Sequence, residues 1–356
     1  MKDKFLYISS EDIYSLINEN YDYILSTVQE ALLLTQSDTV IQPDKTSLII
    51  DEKTQNRINC LPATILDKNI SGIKWISVFP SNKKKEIDNV EGFTLLSETE
   101  TGKLKAILNS SLATSLRTAA VGAIAAKYLA KSNSKVIGFI GAGEEAKAHF
   151  KLIKCVIPEI NTCYFSSRTK TKITDLINEL DKLYPDVKFI NSSNEYEEAV
   201  ENSDIIITAI SSQEKVLKKK WIKEGSLYIH VAGLEDEFDV ALSANKIICD
   251  SWECVKHRTQ TISQMYKKGL LKDSDIYADI VDIINGRKKG RENNNEFIYF
   301  NSVGLALIDV YLANSLYELA IENDKGNWIV KWKKTIKLTI ILRRLQDITV
   351  QEDLNI

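Results

Sequence analysis

Residues 135–150 read KVIGFIGAGEEAKAHF. The apolar run 135–140 suits a strand buried on both faces, Gly141-Ala142-Gly143 forces a turn, and Glu144 onward has the spacing of a helix. Strand, glycine turn and helix in that order lift G-x-G-x-x-G/A above a chance match, with Ala146 at the helix-packing position. Gly141 permits the tight turn and Gly143 lets the backbone approach a pyrophosphate, whose oxygens the free N–H groups of Glu144, Glu145 and their neighbours hold. An ordinary glycine turn is the plainer alternative.

Strands and helices alternate from there. Segments 162–166, 187–190, 204–210, 226–231 and 246–250 read as strands, with helices at 170–183 and 194–201 between them. That rhythm predicts a Rossmann-type, doubly wound parallel sheet, an α/β fold. Dinucleotide contacts are then expected at Thr118, Gly141, Ala142, Gly143, Glu144 and Glu145, and at Ser167 and Arg168 after the second strand. Further along they are expected at Thr208, Ala209, Ile210, Val231, Gly233, Ser302 and Gly304. An NAD site places an acid after the second strand to accept from the ribose 2′-hydroxyl. Ser167-Arg168 offers a hydroxyl and a guanidinium instead, which suits the 2′-phosphate of NADP; if Arg168 is only a solvated loop residue, NAD is bound.

The chain before the glycine turn has a different texture. Two amphipathic helices, near residue 10 and at 21–35, precede short β-like runs at 47–50, 57–62, 72–79 and 92–96. This predicts a small mixed α+β domain for substrate binding and dimerisation, residues 1–120, completed by the helix 305–321 within 302–330. The Rossmann domain is then 121–301, and 331–356 is a basic tail of unassigned role. Lys74 lies in the apolar run Gly72-Ile-Lys74-Trp-Ile, where a buried ammonium needs an anion, unless its stem covers apolar surface and its head reaches water. Arg117 opens an alanine-rich helix among small residues, well placed to grip a carboxylate or phosphate. Acids crowd 235–239, and one of them could act as a general acid/base beside a nicotinamide; a solvated acidic loop is the bland alternative.

The 46 basic and 49 acidic side chains leave a formal charge of −3, which gives no electrostatic case for nucleic acid or an anionic membrane as partner. Five cysteines without a C-x-x-C pair fit reduced thiols in a cytoplasm, and scattered Cys and His residues offer no metal site. No apolar run is long enough to span a bilayer.

Ser115-Leu-Arg117-Thr118-Ala-Ala, Gly141-Ala-Gly143, Gly286-Arg-Lys-Lys-Gly290-Arg291 and Glu296-Phe-Ile-Tyr-Phe-Asn-Ser-Val-Gly304 together resemble the ornithine cyclodeaminase/mu-crystallin family. The resemblance runs from about residue 6 to 320. Gln42-Pro43-Asp44-Lys45, Ile70-Ser-Gly-Ile-Lys74-Trp-Ile and Ile248-Cys-Asp250-Ser-Trp252 resemble the branch that releases 2,3-diaminopropionate for siderophores and antibiotics. The resemblance implies a cytoplasmic homodimer that oxidises the secondary amine of a small amino-acid-derived substrate with NADP or NAD. It implies that Lys45, Lys74 and Arg117 read substrate carboxylates, that Glu235 carries protons, and that Lys74 assists catalysis. Glu235 stands where the family has an aspartate, with Asp236 beside it, and Asn59 stands where ornithine cyclodeaminases have a glutamate for the distal amine. Ornithine or lysine cyclodeamination, amino-acid dehydrogenation or imine reduction, and a mu-crystallin-like role as a binder are the alternatives.

Overall fold

The structure, a computed structural model, describes residues 4–85, 87–192, 196–210 and 214–330. Two eight-stranded sheets organise it. The first contains β1 (Lys4–Ile8), β2 (Val40–Ile41), β3 (Thr46–Asp51), β4 (Asn56–Ile65), β5 (Ile70–Val78), β6 (Val90–Ser97) and β7 (Leu104–Asn109). It is a meander of antiparallel pairs from β3 to β7, to which β1 adds in parallel beside β7.

The second sheet contains β8 (Val136–Ile140), β9 (Thr162–Ser166), β10 (Lys188–Asn191), β11 (Ile205–Thr208), β12 (Leu227–His230), β13 (Lys246–Cys249), β14 (Ala278–Asp279) and β15 (Ile298–Asn301). Their order is β10-β9-β8-β11-β12-β15-β13-β14, and every pair is parallel. Strand order reverses at β8, where β9 and β10 lie to one side and β11 and β12 to the other, so the glycine turn sits at the switch point where such sheets open a ligand crevice. The doubly wound α/β fold expected from the sequence is the one observed. The strand β16 (Asn327–Val330) then returns to the first sheet, antiparallel to β1 of the same chain.

Four helices matter for the site: α1 (Ser10–Ile17), α2 (Tyr21–Leu33), α3 (Ser111–Leu129) and α4 (Glu144–Val156). Ser9 caps α1: the Asp12 N–H donates to its Oγ at 3.1 Å, while its own N–H donates to Asp12 Oδ2 at 3.1 Å. The small residues of α3 let α4 approach closely. A Cβ on Gly122 would lie 2.7 Å from Cδ2 of His149, which is wholly buried. Burial above all pulls the His149 imidazole down to about 4, so a neutral ring fills this groove. The long helix Ala306–Glu322 lies on the first sheet, where the missing side chain of Gly72 admits Val310.

Three local readings change. The apolar spacing and terminal glycine of residues 277–286 predict one helix; Ala278–Asp279 instead pairs with Ile248 and Cys249, and the helix is only Ile280–Ile284, closed by Gly286 at φ 71. The strands β1 and β7 were not expected, because KFLYI and LKAILN are too short to declare a period. The basic tail 331–356 lies outside the described residues, and residues 328–330 just before it belong to β16.

Candidate active site

At the switch point, Gly141 has φ 129, and a Cβ there would meet the carbonyl oxygen of Ala209 at 2.5 Å. Only glycine fits. Among the described residues an added Cβ on Gly143 would meet nothing within 4 Å and no side chain caps α4, so its first N–H groups have no side-chain partner. Backbone N–H groups at a helix start are the donors that cradle pyrophosphate oxygens. Glu144 points outward, with its side chain 82% exposed. Glu145 does not: its Oε1 accepts from Ser115 Oγ at 3.0 Å, and its Oε2 is covered without a hydrogen-bond partner. Burial, only partly offset by Arg117 and Lys74, pushes its carboxyl up to about 7. Ser167 and exposed Arg168 follow β9, and Arg168 forms no ion pair among the described residues.

The expected substrate cations gather beside this cradle. Lys74 and Arg117 share one carboxylate oxygen: Lys74 Nζ lies 2.7 Å and Arg117 Nε 2.8 Å from Asp309 Oδ1. Among the described residues Asp309 Oδ2 has no hydrogen-bond partner. The anion that a buried Lys74 required is thus a side chain of the long helix. Desolvation lowers the Lys74 ammonium to about 8 despite Asp309, with Arg117 acting in the same direction. Gly304 makes room for Arg117, since a Cβ there would lie 2.7 Å from Nη1, and its φ of 77 favours glycine as well. The loop that carries Gly304 is clamped by Asp250, whose Oδ2 accepts from Ser302 Oγ and from the N–H groups of Val303 and Gly304 at 2.8–3.1 Å.

Lys45 joins them. Burial first, then the charges of Arg258, Arg57 and Lys74, lower it to about 7. Arg57, Arg258, Asp309 and Asp250 were not assigned site roles from the sequence. Asp309 had a signal, a lone acid in the apolar run ALIDVYLA. The two arginines had none, because they meet Lys45 only through tertiary folding. Asn59 is buried and accepts from Ser47 Oγ at 2.8 Å.

Glu235 lies at the carboxyl ends of β11 and β12 but is fully covered. Thr208 Oγ1 donates to its Oε2 at 2.6 Å and the Ile210 N–H to its Oε1 at 3.0 Å. Asp236 accepts from Thr261 Oγ1 at 2.6 Å and Tyr299 OH at 3.0 Å. Between them sits His230, whose Nε2 is 3.7 Å from each acid. Asn301 donates its Nδ2 to Gln260, so its Oδ1 accepts from Nδ1 of His230 at 2.7 Å. Nε2 itself has no hydrogen-bond partner among the described residues, and burial raises both carboxyls. Glu235 and Lys74 therefore belong to separate networks. The Thr118 hydroxyl turns back to the Thr114 carbonyl of its own helix, and Val231 and Gly233 lie partly exposed beyond β12.

Fold and site define a nicotinamide-dependent oxidoreductase built on a Rossmann sheet. The profile of the ornithine cyclodeaminase/mu-crystallin family matches residues 9–324. The chain is 32% identical to an alanine dehydrogenase of Archaeoglobus fulgidus, over 91% of this chain and 98% of that one. The structure of Thermococcus litoralis Δ1-pyrroline-2-carboxylate reductase in complex with NADH and L-proline superposes with a TM-score of 0.85 at 30% identity, over 91% of this chain and 99% of that one. An N-((2S)-2-amino-2-carboxyethyl)-L-glutamate dehydrogenase of Staphylococcus aureus is 26% identical, over 92% and 98% of the two chains. The chain belongs to the ornithine cyclodeaminase/mu-crystallin family and is an NAD(P)-dependent enzyme of it. Among the described residues no helix is long and apolar enough to cross a membrane, and no His, Cys, Asp and Glu cluster could hold a metal.

Proposed function

We propose that the protein oxidises the secondary amine joining two amino-acid units, and that the imine is hydrolysed to a 2-oxo acid and a free amino acid. The substrate this reading favours is N-(2-amino-2-carboxyethyl)-L-glutamate, which carries three carboxylates and releases 2-oxoglutarate and 2,3-diaminopropionate. One observation carries it: Lys45, Lys74 and Arg117 gather with Arg57 and Arg258, while Asp309 is the only carboxylate ion-paired to any of them among the described residues. Such a field suits a polyanion better than alanine or proline, each with one carboxylate. Asn59, bound to Ser47, offers no acid for a diamine, which weighs against cyclodeamination.

Bound nicotinamide supplies the hydride acceptor. Lys74 and Arg117, fixed by Asp309, keep further N–H donors for the carboxylate on the carbon that loses hydride. Glu235 takes the proton the amine releases as its carbon loses hydride and returns it to the imine nitrogen. It then takes a proton from the water that adds to the imine carbon and passes that one to nitrogen, so the C–N bond breaks as the carbinolamine hydroxyl becomes the carbonyl and loses its proton to solvent. The Lys74 ammonium stabilises negative charge as the water adds. NADP is the preferred cofactor in this reading, since Arg168 is exposed and free to pair with a 2′-phosphate. The working unit is a homodimer, supported by the exposed apolar side chains Leu48, Ile49 and Ile50 of β3, which a second copy would cover. The decisive experiment incubates the protein with N-(2-amino-2-carboxyethyl)-L-glutamate and each oxidised cofactor. Equimolar 2-oxoglutarate, diaminopropionate and reduced nicotinamide are expected. Turnover of alanine, proline or ornithine in its place would reject the reading.

A further inference from the structure

We infer that Arg57 and Arg258 form, with Lys45, a second anion subsite that reads a carboxylate remote from the reacting carbon; this deepens the proposed function and rests on it.

The sheet register brings two of these groups together. Arg57 pairs with Val78 and Leu61 with Lys74, so the side chains of Arg57, Asn59 and Leu61 share one face with those of Lys74, Ile76 and Val78. On the other side, Ser47 faces Asn59 and Ile49 faces Arg57. Lys45 stands two residues before Ser47, just ahead of β3, and continuing the period of that strand puts it on the same face. This face is covered at Lys74, 2% exposed, and at Asn59, 6% exposed, and opens towards β3, where Ile49 is 55% exposed; the opposite face carries Trp75 at 49%.

Arg258 arrives from the other sheet, after the short helix Trp252–Lys256. Gln42 ties that helix to the substrate side. Its Nε2 donates to Cys254 Sγ at 3.4 Å, and its Oε1 accepts from the N–H of Leu307 at 2.7 Å, at the start of the long helix. Arg258 is held close enough for its charge to bear on Lys45, with only Asp44, Asp250 and Cys254 acting in the opposite sense.

None of the three cations is neutralised by contact. Among the described residues neither Lys45, Arg57 nor Arg258 has an ion-pair partner; Arg57 donates only to the Gln55 carbonyl, and Arg258 Nε is covered with no hydrogen-bond partner at all. Like charges brought together and partly desolvated cost stability unless an anion enters. Lys74 and Arg117 already have Asp309, so the uncompensated charge lies at the far end of the face, away from the reacting centre. A ligand that satisfies both ends carries one carboxylate beside Lys74 and Arg117 and another beside Lys45, Arg57 and Arg258. Glutamate-derived and 2-oxoglutarate-derived groups have that form; alanine, proline and pyruvate do not.

The test measures binding of 2-oxoglutarate and of pyruvate to the full chain saturated with reduced cofactor. The parent is expected to prefer 2-oxoglutarate by about 10- to 100-fold, the worth of charged hydrogen bonds to one extra carboxylate. Arg258→Gln and Arg57→Gln, each checked for a parental melting curve, should each reduce that preference about tenfold or more, and Arg258→Lys should restore part of it. A parent without the preference overturns the subsite before any variant is made, and so do folded glutamine variants that keep it in full. If the parent fails to oxidise N-(2-amino-2-carboxyethyl)-L-glutamate while the preference and its loss are both observed, the reaction is misassigned and the subsite stands.

Discussion

Lys74 and Asp309, 235 residues apart, meet at 2.7 Å with each side chain only 2% exposed. The pair joins β5 to the long helix and fixes Arg117, whose Nε takes the same oxygen. Removing one member of a buried pair costs more than the pair is worth, because the survivor keeps its desolvated charge. Asp309→Asn strands two cations and should lower the unfolding free energy by about 3–5 kcal/mol in urea titrations. Lys74→Met leaves Asp309 still bonded to Arg117 and should cost less, while raising the substrate KM and lowering turnover with dinucleotide affinity near parental. If Lys74→Met changed only the melting temperature, with kinetics intact, Lys74 would be a structural residue.

Lys45 should give the proposed substrate site a pH dependence. Its ammonium is held at about 7, well below the ordinary 10.5, chiefly by burial. Carboxylate binding needs the charged form, so substrate affinity should be highest below about pH 7 and fall above it, approaching about tenfold per pH unit. Lys45→Arg keeps its charge throughout and should flatten the profile. The stability effect has the opposite trend. Between about 7 and 10.5 the unfolded chain binds more protons at this residue, so its contribution to stability rises with pH. An inflection that persists in the arginine variant would assign it to another group.

Arg168 should discriminate the cofactors. Exposed and without an ion pair, it has little to do for the fold. Arg168→Ala should weaken NADP by about tenfold or more through the lost charge-assisted bonds to the 2′-phosphate, and leave NAD within about twofold. Equal losses for both cofactors, or tighter NAD binding in the parent, would reject the preference.

What could be read in advance followed the range of the interactions. The second sheet was legible because each buried strand and its turn are local signals; Thr162–Ser166 and Lys170–Leu183 fall where they were expected. Lys74 and Arg117 were legible as charges in apolar surroundings. The identity of their counter-ion was not, since Asp309 arrives from the far end of the chain. Arg57 and Arg258 were invisible for the same reason. Each is unremarkable in its own window, and only sheet register and the Gln42 bridge bring them to Lys45. Glu235 was legible as an acid at a strand end, but the cover over it depends on Thr208 and the turn at Ile210.

That cover sharpens the test of Glu235. Glutamine can replace it without disorder: an amide oxygen still accepts from the Ile210 N–H, and the amide NH2 can donate to Thr208 Oγ1, whose own proton turns to Tyr228 OH at 2.8 Å. Glu235→Gln should therefore fold and bind cofactor while losing turnover by about 10²–10⁴, the worth of a proton carrier. It should also change the pH dependence of stability. Burial raises the Glu235 carboxyl above its unfolded value, so the native state keeps this proton longer, and the stability it contributes at low pH is lost as pH rises through the folded value. The glutamine variant escapes that loss, and its melting temperature relative to the parent should climb with pH. Asp236→Asn breaks a different set of bonds, those from Thr261 and Tyr299, and should lower the melting temperature with turnover within a few fold of parental. An inactive Asp236→Asn beside an active Glu235→Gln would move the proton carrier one residue along the chain. Activity in both would place it outside this pair, and the raised carboxyl of Glu145, between Ser115 and Arg117, would be the next position to substitute.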